Sequence, residues 1–82
     1  MDEFTKRLIA IQQEQKLSDG AMADYIGCSR QHYQMVRTGL AGLGLIVVRG
    51  ALQAFAGDKE LIKHAAEWLA NDPAISTGKE TV

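Results

Sequence analysis

Two serines and two glycines divide the middle of the chain into two short segments, and this division strongly limits how the chain can fold. Ser18 and Ser29 are residues typical of a helix N-cap, where a side-chain oxygen accepts a hydrogen bond from a backbone N–H group. Gly27 and Gly39 end the segments, where a chain leaving a helix often turns through a positive φ angle. The spacing therefore predicts two consecutive helices, over about 18–26 and 29–38, joined by a tight turn.

Helices are also favoured in the rest of the chain. The sequence has one proline and few β-branched residues before position 46. Apolar residues at helical spacing predict further helices over about 2–15, 43–56 and 58–71, and the first and last of these begin at the capping residues Asp2 and Asp58. The helix at 43–56 is apolar nearly all round, so we expect it to be central and buried. Its run LIVV is also compatible with a strand.

Each of the other four predicted helices has an apolar stripe that is expected to face one core. Spacings of three and four residues place the members of a stripe on the same side of a helix. The stripes comprise Phe4, Leu8 and Ile11; Met22, Ala23 and Ile26; Tyr33, Val36 and Leu40; and Leu61, Ile62, Ala65, Trp68 and Leu69. The sequence thus predicts an all-α domain of five helices.

Length and composition are typical of one small intracellular domain. The chain has 82 residues, of which 46% are hydrophobic, enough for a core. We expect one domain over 1–72 and a flexible tail over 73–82. One cysteine cannot form an internal disulfide, and no signal peptide is visible. The longest apolar run is interrupted by Arg49, so no membrane association is expected; the expected location is the bacterial cytoplasm or nucleoid.

Charge is distributed unevenly along the chain. The net charge is −1, which alone argues mildly against nucleic-acid binding. Residues 25–57, however, hold three arginines and no acid, whereas the segments on either side each carry an acidic excess. An acid-free middle segment is what a local anion-binding face would need.

The segment LSDGAMADYIGCSRQHYQMVRTG resembles the helix-turn-helix of the Cro- and phage-repressor-type family, also called lambda-repressor-like. The matching features are Leu17-Ser18 at the start of the first helix, Ala23 in its middle, Gly27-Cys28-Ser29 at the turn, and Gly39 after the second helix. The resemblance implies a compact five-helix domain whose third helix is a recognition helix that reads DNA. It covers about 23 residues in the motif and, through the helix layout, most of 3–71.

Several of these positions also have physical roles that do not depend on the family. Ala23 is small where two helices must approach closely, Gly27 permits the turn, and Ser29 caps the third helix. Tyr33 and Val36 are expected to hold that helix against the core.

The outward face of the third helix is polar and contains no carboxylate. Arginine suits the O6 and N7 atoms of guanine, and glutamine suits the N6 and N7 atoms of adenine. By resemblance, the base-contacting positions of the family are occupied here by Arg30, Gln31 and Gln34. The residues expected to contact phosphate are Ser18, His32, Arg37 and Thr38. Such a face also occurs on helices that are merely solvated.

Asp19 departs from the family pattern. Relatives often have glutamine or another phosphate-contacting residue at the start of this helix, whereas a carboxylate favours the helix dipole but repels phosphate. We therefore expect either that the helix lies slightly away from the DNA backbone or that the affinity is modest.

Other sites are weaker interpretations of the same residues. Cys28 and His32 are four residues apart, but no second Cys/His pair accompanies them to complete a zinc site. A nucleophilic Cys–His pair would need an activated thiolate and a pocket, so no catalytic residue is expected. The GLAGLG segment lacks the Gly-x-Gly-x-x-Gly pattern of a dinucleotide loop. We therefore expect no metal, cofactor or small-molecule ligand.

The expected function is sequence-specific binding of double-stranded DNA by a small, repressor-like transcriptional regulator from a bacterium, phage or prophage. One helix-turn-helix reads a half-site, so a homodimer is expected, through the last helix or the tail. Four residues of the last helix either pack in the core or form that dimer interface, namely Leu61, Ala65, Trp68 and Leu69. The alternative is a protein–protein adaptor on the same fold, such as an antirepressor or assembly subunit.

Overall fold

A computed structural model describes residues 1–71 of the chain. This part of the chain is all-helical, which confirms the predicted fold class. Its five helices are α1 (Glu3–Glu14), α2 (Asp19–Ile26), α3 (Arg30–Thr38), α4 (Leu45–Ala54) and α5 (Lys59–Ala70). The predicted tail at 73–82 lies outside the described residues. None of the helices in the described part is long and apolar enough to cross a membrane.

Four of the five helices begin at a side-chain cap. Each capping oxygen accepts from the backbone N–H group three residues later, at distances between 2.7 and 3.1 Å. These bonds satisfy donors that the first turn of a helix leaves without partners. The capping residues are Asp2, Ser18, Ser29 and Asp58, as the sequence predicts.

Glycines end α2 and α3 as expected. Gly27 and Gly39 have φ angles of 90° and 84°, in the left-handed region that other residues adopt only with strain. The N–H groups of Gly27 and Cys28 both donate to the carbonyl of Ala23, at 2.8 and 3.0 Å. Only three residues therefore separate α2 from α3, and the two helices pack against each other.

One core joins all five helices. α2 packs on α3 and α4, while α1 packs on α5 and α3. The largest fully buried side chains are those of Tyr33, Phe4, Leu8, Ile11, Met22, Leu61, Val47 and Val48. Most of the predicted apolar stripes are therefore correct.

α4 differs from its prediction. The run LIVV forms a helix rather than a strand, but α4 is shorter than predicted and is not buried all round. Val47 and Val48 are buried, whereas Leu45 is 50% and Ile46 71% exposed. The cause is that α2 packs against one side of α4. Only that side reaches the core, and the apolar residues on the opposite side are left at the surface.

The predicted stripe of α3 is also wrong at its end. Leu40 is 80% exposed, although Tyr33 and Val36 are buried. Gly39 turns the chain out of the helix before Leu40, so helical spacing no longer applies to that residue.

Gly50 lies where α4 crosses the end of α2. A β-carbon on Gly50 would lie 1.9 Å from the carbonyl oxygen of Ile26, well inside contact distance. The close approach of these two helices therefore requires glycine, a requirement that the apolar pattern of α4 does not show.

Candidate nucleic-acid interface

α3 is held firmly on one side and exposed on the other. Its buried residues are Tyr33 and Val36, which are 1% and 3% exposed. Its exposed residues include Arg30, Gln31 and His32, which form its first turn. Because the core fixes the rotation of the helix, these three residues lie on its solvent-exposed side.

The three predicted base-reading residues lie on this face but in different surroundings. Arg30 and Gln31 are exposed, and the stem of Arg30 lies beside the start of α2, close to Gly20. Gln34 is only partly exposed, because its amide Nε2 donates to Asp19 Oδ2 at 3.2 Å. Gln34 therefore lies at the boundary between the exposed face and a hydrogen-bond network beneath it.

The four predicted phosphate-contacting residues are likewise divided. Ser18 and His32 are exposed, and they lie at the N-terminal ends of α2 and α3. Thr38 is exposed, although its hydroxyl donates to the carbonyl of Gln34 at 2.8 Å. Arg37 is different, because it is partly buried and forms an ion pair with Asp19 at 2.9 Å.

Asp19 is the centre of a network that links three helices. Its Oδ1 accepts from Gln12 Nε2 of α1 at 2.8 Å, and its Oδ2 accepts from Gln34 and Arg37 of α3. Gln12 in turn accepts a 2.6 Å hydrogen bond from the hydroxyl of Tyr33. Because an ionised carboxylate can only accept, the amide nitrogens of both glutamines must face it.

The network keeps Asp19 ionised. The hydrogen bond from Gln12 is the main cause that lowers the pKa of Asp19 below its ordinary value of 3.8, and Arg37 and Gln34 act in the same direction. Burial opposes this shift but is outweighed. At neutral pH a full negative charge therefore lies beside the polar face of α3.

This geometry adds a contact that the sequence interpretation does not contain. The sequence predicts that Asp19 repels phosphate and that Arg37 contacts it. In the structure the two side chains form an ion pair through Arg37 Nη2, while Arg37 Nε is buried without a hydrogen-bond partner. The sequence pattern identified Asp19 as unusual, but nothing in it indicated a role for Gln12. Gln12 was missed because its partners, Asp19 and Tyr33, lie on two other helices.

The structure also places the residues of the rejected sites. Cys28 is partly buried against the core, and desolvation raises the pKa of its thiol above the ordinary value. That shift disfavours the thiolate that a nucleophile or metal ligand requires. Among residues 1–71, no group of three or more His, Cys, Asp and Glu side chains could hold a metal ion.

Two of the four α5 residues that were expected either to pack in the core or to form a dimer interface are fully buried. Leu61 and Ala65 are 0% and 2% exposed, so the protein's own core already covers them. Trp68 and Leu69 are partly exposed, and Trp68 packs at the edge of the core. Of these four residues, only Trp68 and Leu69 remain accessible at the surface of α5.

Sequence and structure have thus defined a rigid polar face on α3, with an internal carboxylate beside it. Comparisons with protein-family models, curated proteins and solved structures found no match to this chain.

Proposed function

We propose that the chain binds double-stranded DNA in a sequence-specific manner, as a small repressor-like transcriptional regulator of a bacterium or phage. The observation that carries the proposal is the polar face of α3, which contains no carboxylate and is fixed by the burial of Tyr33 and Val36. A rigid helix with outward donors and acceptors suits the major groove, which is about 12 Å wide and admits one helix.

The proposed roles follow from exposure and chemistry. Arg30 suits the two acceptors of guanine, while the amides of Gln31 and Gln34 suit adenine. Ser18, His32 and Thr38 lie at the ends of α2 and α3, where a DNA backbone passing beside an inserted helix would come closest.

A homodimer forms part of the proposal. Nine residues in α3 reach only a half-site, and specific binding usually needs two half-sites one helical turn apart. Trp68 and Leu69 of α5, together with the tail, are the proposed contact. A symmetric selected site, with sedimentation showing two chains per duplex, would support this arrangement.

In vitro selection from a random duplex library is the experiment that tests DNA binding. We expect an enriched site containing guanine and adenine contacts, together with affinity that falls as salt increases. Affinity should then be measured at several salt concentrations for the enriched site and for a scrambled duplex. The proposal fails if no sequence is enriched and the affinity does not depend on salt.

A second candidate function is a protein–protein adaptor, and one specific observation favours it. Leu40, Leu45 and Ile46 are large apolar residues that are each at least half exposed. Leu40 lies just after α3, and Leu45 and Ile46 are the first two residues of α4. Exposed apolar groups suit a protein surface better than a phosphate backbone. An adaptor would give no enriched site in the selection, whereas a regulator would.

A further inference from the structure

The Asp19–Arg37 ion pair lies at the candidate interface rather than away from it. Arg37 belongs to α3, and Asp19 is the first residue of α2, directly after the exposed Ser18. The side chains of Arg37 and Asp19 are 34% and 17% exposed, so solvent reaches both partners. An exchange of partners at this pair therefore needs no unfolding of the core.

Asp19 satisfies Arg37 with the chemistry that a DNA phosphate would offer. Its Oδ2 takes hydrogen bonds from Arg37 Nη2 at 2.9 Å and from Gln34 Nε2 at 3.2 Å. Carboxylate and phosphate oxygens are both anionic acceptors that bind guanidinium groups in similar geometry. A phosphate oxygen that approaches Arg37 Nη2 must displace Asp19 Oδ2 or share the donor with it. The carboxylate and the phosphate therefore compete for Arg37.

We propose that Asp19 is an internal competitor of the DNA backbone, which occupies Arg37 in the free protein and thereby weakens the attraction of α3 for phosphate. This inference rests on the proposed DNA binding and concerns how its strength is set. Of the cations on α3, Arg30 remains exposed while Arg37 is neutralised by its neighbour. The effective positive charge of the face is therefore about one per chain rather than two.

The effect on affinity has a measurable size. Each phosphate neutralised by a cation adds about 0.9 to the slope of log affinity against log salt. Release of Arg37 should therefore steepen that slope by about 0.9 per chain. Exposed ion pairs are weak, so we expect the affinity at about 0.1 M salt to rise by about three- to fivefold.

A set of four variants tests the proposal, with the full-length protein and a mixed-sequence duplex of about 20 base pairs as the probe. Asp19→Asn removes the charge but retains an acceptor for Gln12. Asp24→Asn is the matched control, because Asp24 is an exposed acid on the same helix. Arg37→Ala and the Asp19→Asn/Arg37→Ala double variant complete the cycle. Circular dichroism verifies folding, and Asp19→Ser replaces Asp19→Asn if the latter does not fold.

The expected result is a steeper salt slope and tighter binding for Asp19→Asn than for Asp24→Asn, with the gain lost when Arg37 is also replaced. Equal effects of the two acid substitutions, or a gain in affinity that persists without Arg37, would overturn the proposed competition by Asp19. Neither result would contradict the proposed DNA binding. If neither the wild-type protein nor any variant shows salt-dependent binding, both the competitor and the proposed function fail.

Discussion

Gly50 of α4 packs directly against the backbone of Ile26 at the end of α2. A β-carbon at Gly50 would lie 1.9 Å from the carbonyl oxygen of Ile26, 2.7 Å from its carbonyl carbon and 2.9 Å from its Cγ2. The first two obstacles are backbone atoms, which no side-chain rotation can move. α4 and α2 can therefore pack at this distance only while residue 50 is glycine.

Gly50→Ala should destabilise the protein although alanine is the better helix former. The added methyl group must push α4 away from α2, which we expect to cost about 1–3 kcal/mol of the free energy of unfolding. Gly20→Ala is the matched control, because Gly20 is also helical and its β-carbon would meet only ordinary contacts at 3.6 Å and beyond. That control should be neutral or stabilise by up to about 1 kcal/mol. Urea denaturation of both variants checks this, and a neutral Gly50→Ala would contradict it.

Replacement of the proposed base-reading residues of α3 should alter DNA preference at single base pairs. Arg30→Ala or Gln34→Ala should each cost ~1–3 kcal/mol of binding free energy and relax discrimination at one position of the site. Lys63→Ala is the control for loss of one positive charge, because Lys63 is exposed on α5. Binding to single-base variants of the selected site provides the measurement. A uniform loss across all sequences would argue against base readout by these residues.

Acid should remove one long-range ion pair. Asp58 caps α5 through the N–H of Leu61 at 2.8 Å and accepts from Arg7 Nε of α1 at 3.1 Å. The Arg7 hydrogen bond is the main cause that lowers the pKa of Asp58 below its ordinary value of 3.8. A depressed pKa in the folded state means that the stability is present above about pH 4 and is lost as the pH falls through the folded value.

Asp58→Asn should therefore lower stability at pH 7 by about 1 kcal/mol and flatten the loss of stability in acid. The free energy of unfolding measured between pH 2 and pH 7 (about 25 °C) tests both parts. Glu3→Gln is a suitable control, because Glu3 is an exposed acid whose ion pair joins neighbours on the same helix. An equal flattening in both variants would contradict a specific role of Asp58.

Alkali should act through Tyr33. This residue is 1% exposed, and burial is the main cause that raises its pKa from 10.0 to about 12. An acid whose pKa is raised by folding contributes stability that is complete below about pH 10 and is lost as the pH rises towards the folded value. We therefore expect unfolding above about pH 10, linked to ionisation of the phenol.

Tyr33→Phe tests this interpretation. The variant lacks the 2.6 Å hydrogen bond to Gln12, so it should lose about 1–2 kcal/mol at neutral pH, but its stability should depend less on alkaline pH. Absorbance at the phenolate band and circular dichroism, followed in one pH titration, separate ionisation from unfolding. An unchanged alkaline profile in Tyr33→Phe would show that another group causes the loss.

The local signals in the sequence predicted well where four of the five helices in the described part of the chain begin. Asp2, Ser18, Ser29 and Asp58 form the expected capping hydrogen bonds, each to a residue three positions away. Caps depend on chain geometry within a few residues, so they can be recognised without knowledge of the fold.

Exposure was predicted less well where it depended on distant parts of the chain. Leu45 and Ile46 belong to an apolar run, and only the position of α2 against the other side of α4 leaves them at the surface. In the same way, the sequence pattern identified the polar residues of α3, but it did not show that Gln34 and Arg37 donate hydrogen bonds to Asp19 of α2.

By itself, then, the sequence determined the all-α class, the limits of α2 and α3 and the exposed first turn of α3, because these follow from capping and helical periodicity. Only the tertiary structure decided that Asp19 meets Arg37, since the two residues are eighteen positions apart and belong to different helices. Whether a charge is paired depends on which helices the core brings together, and no pattern within a single helix contains that information.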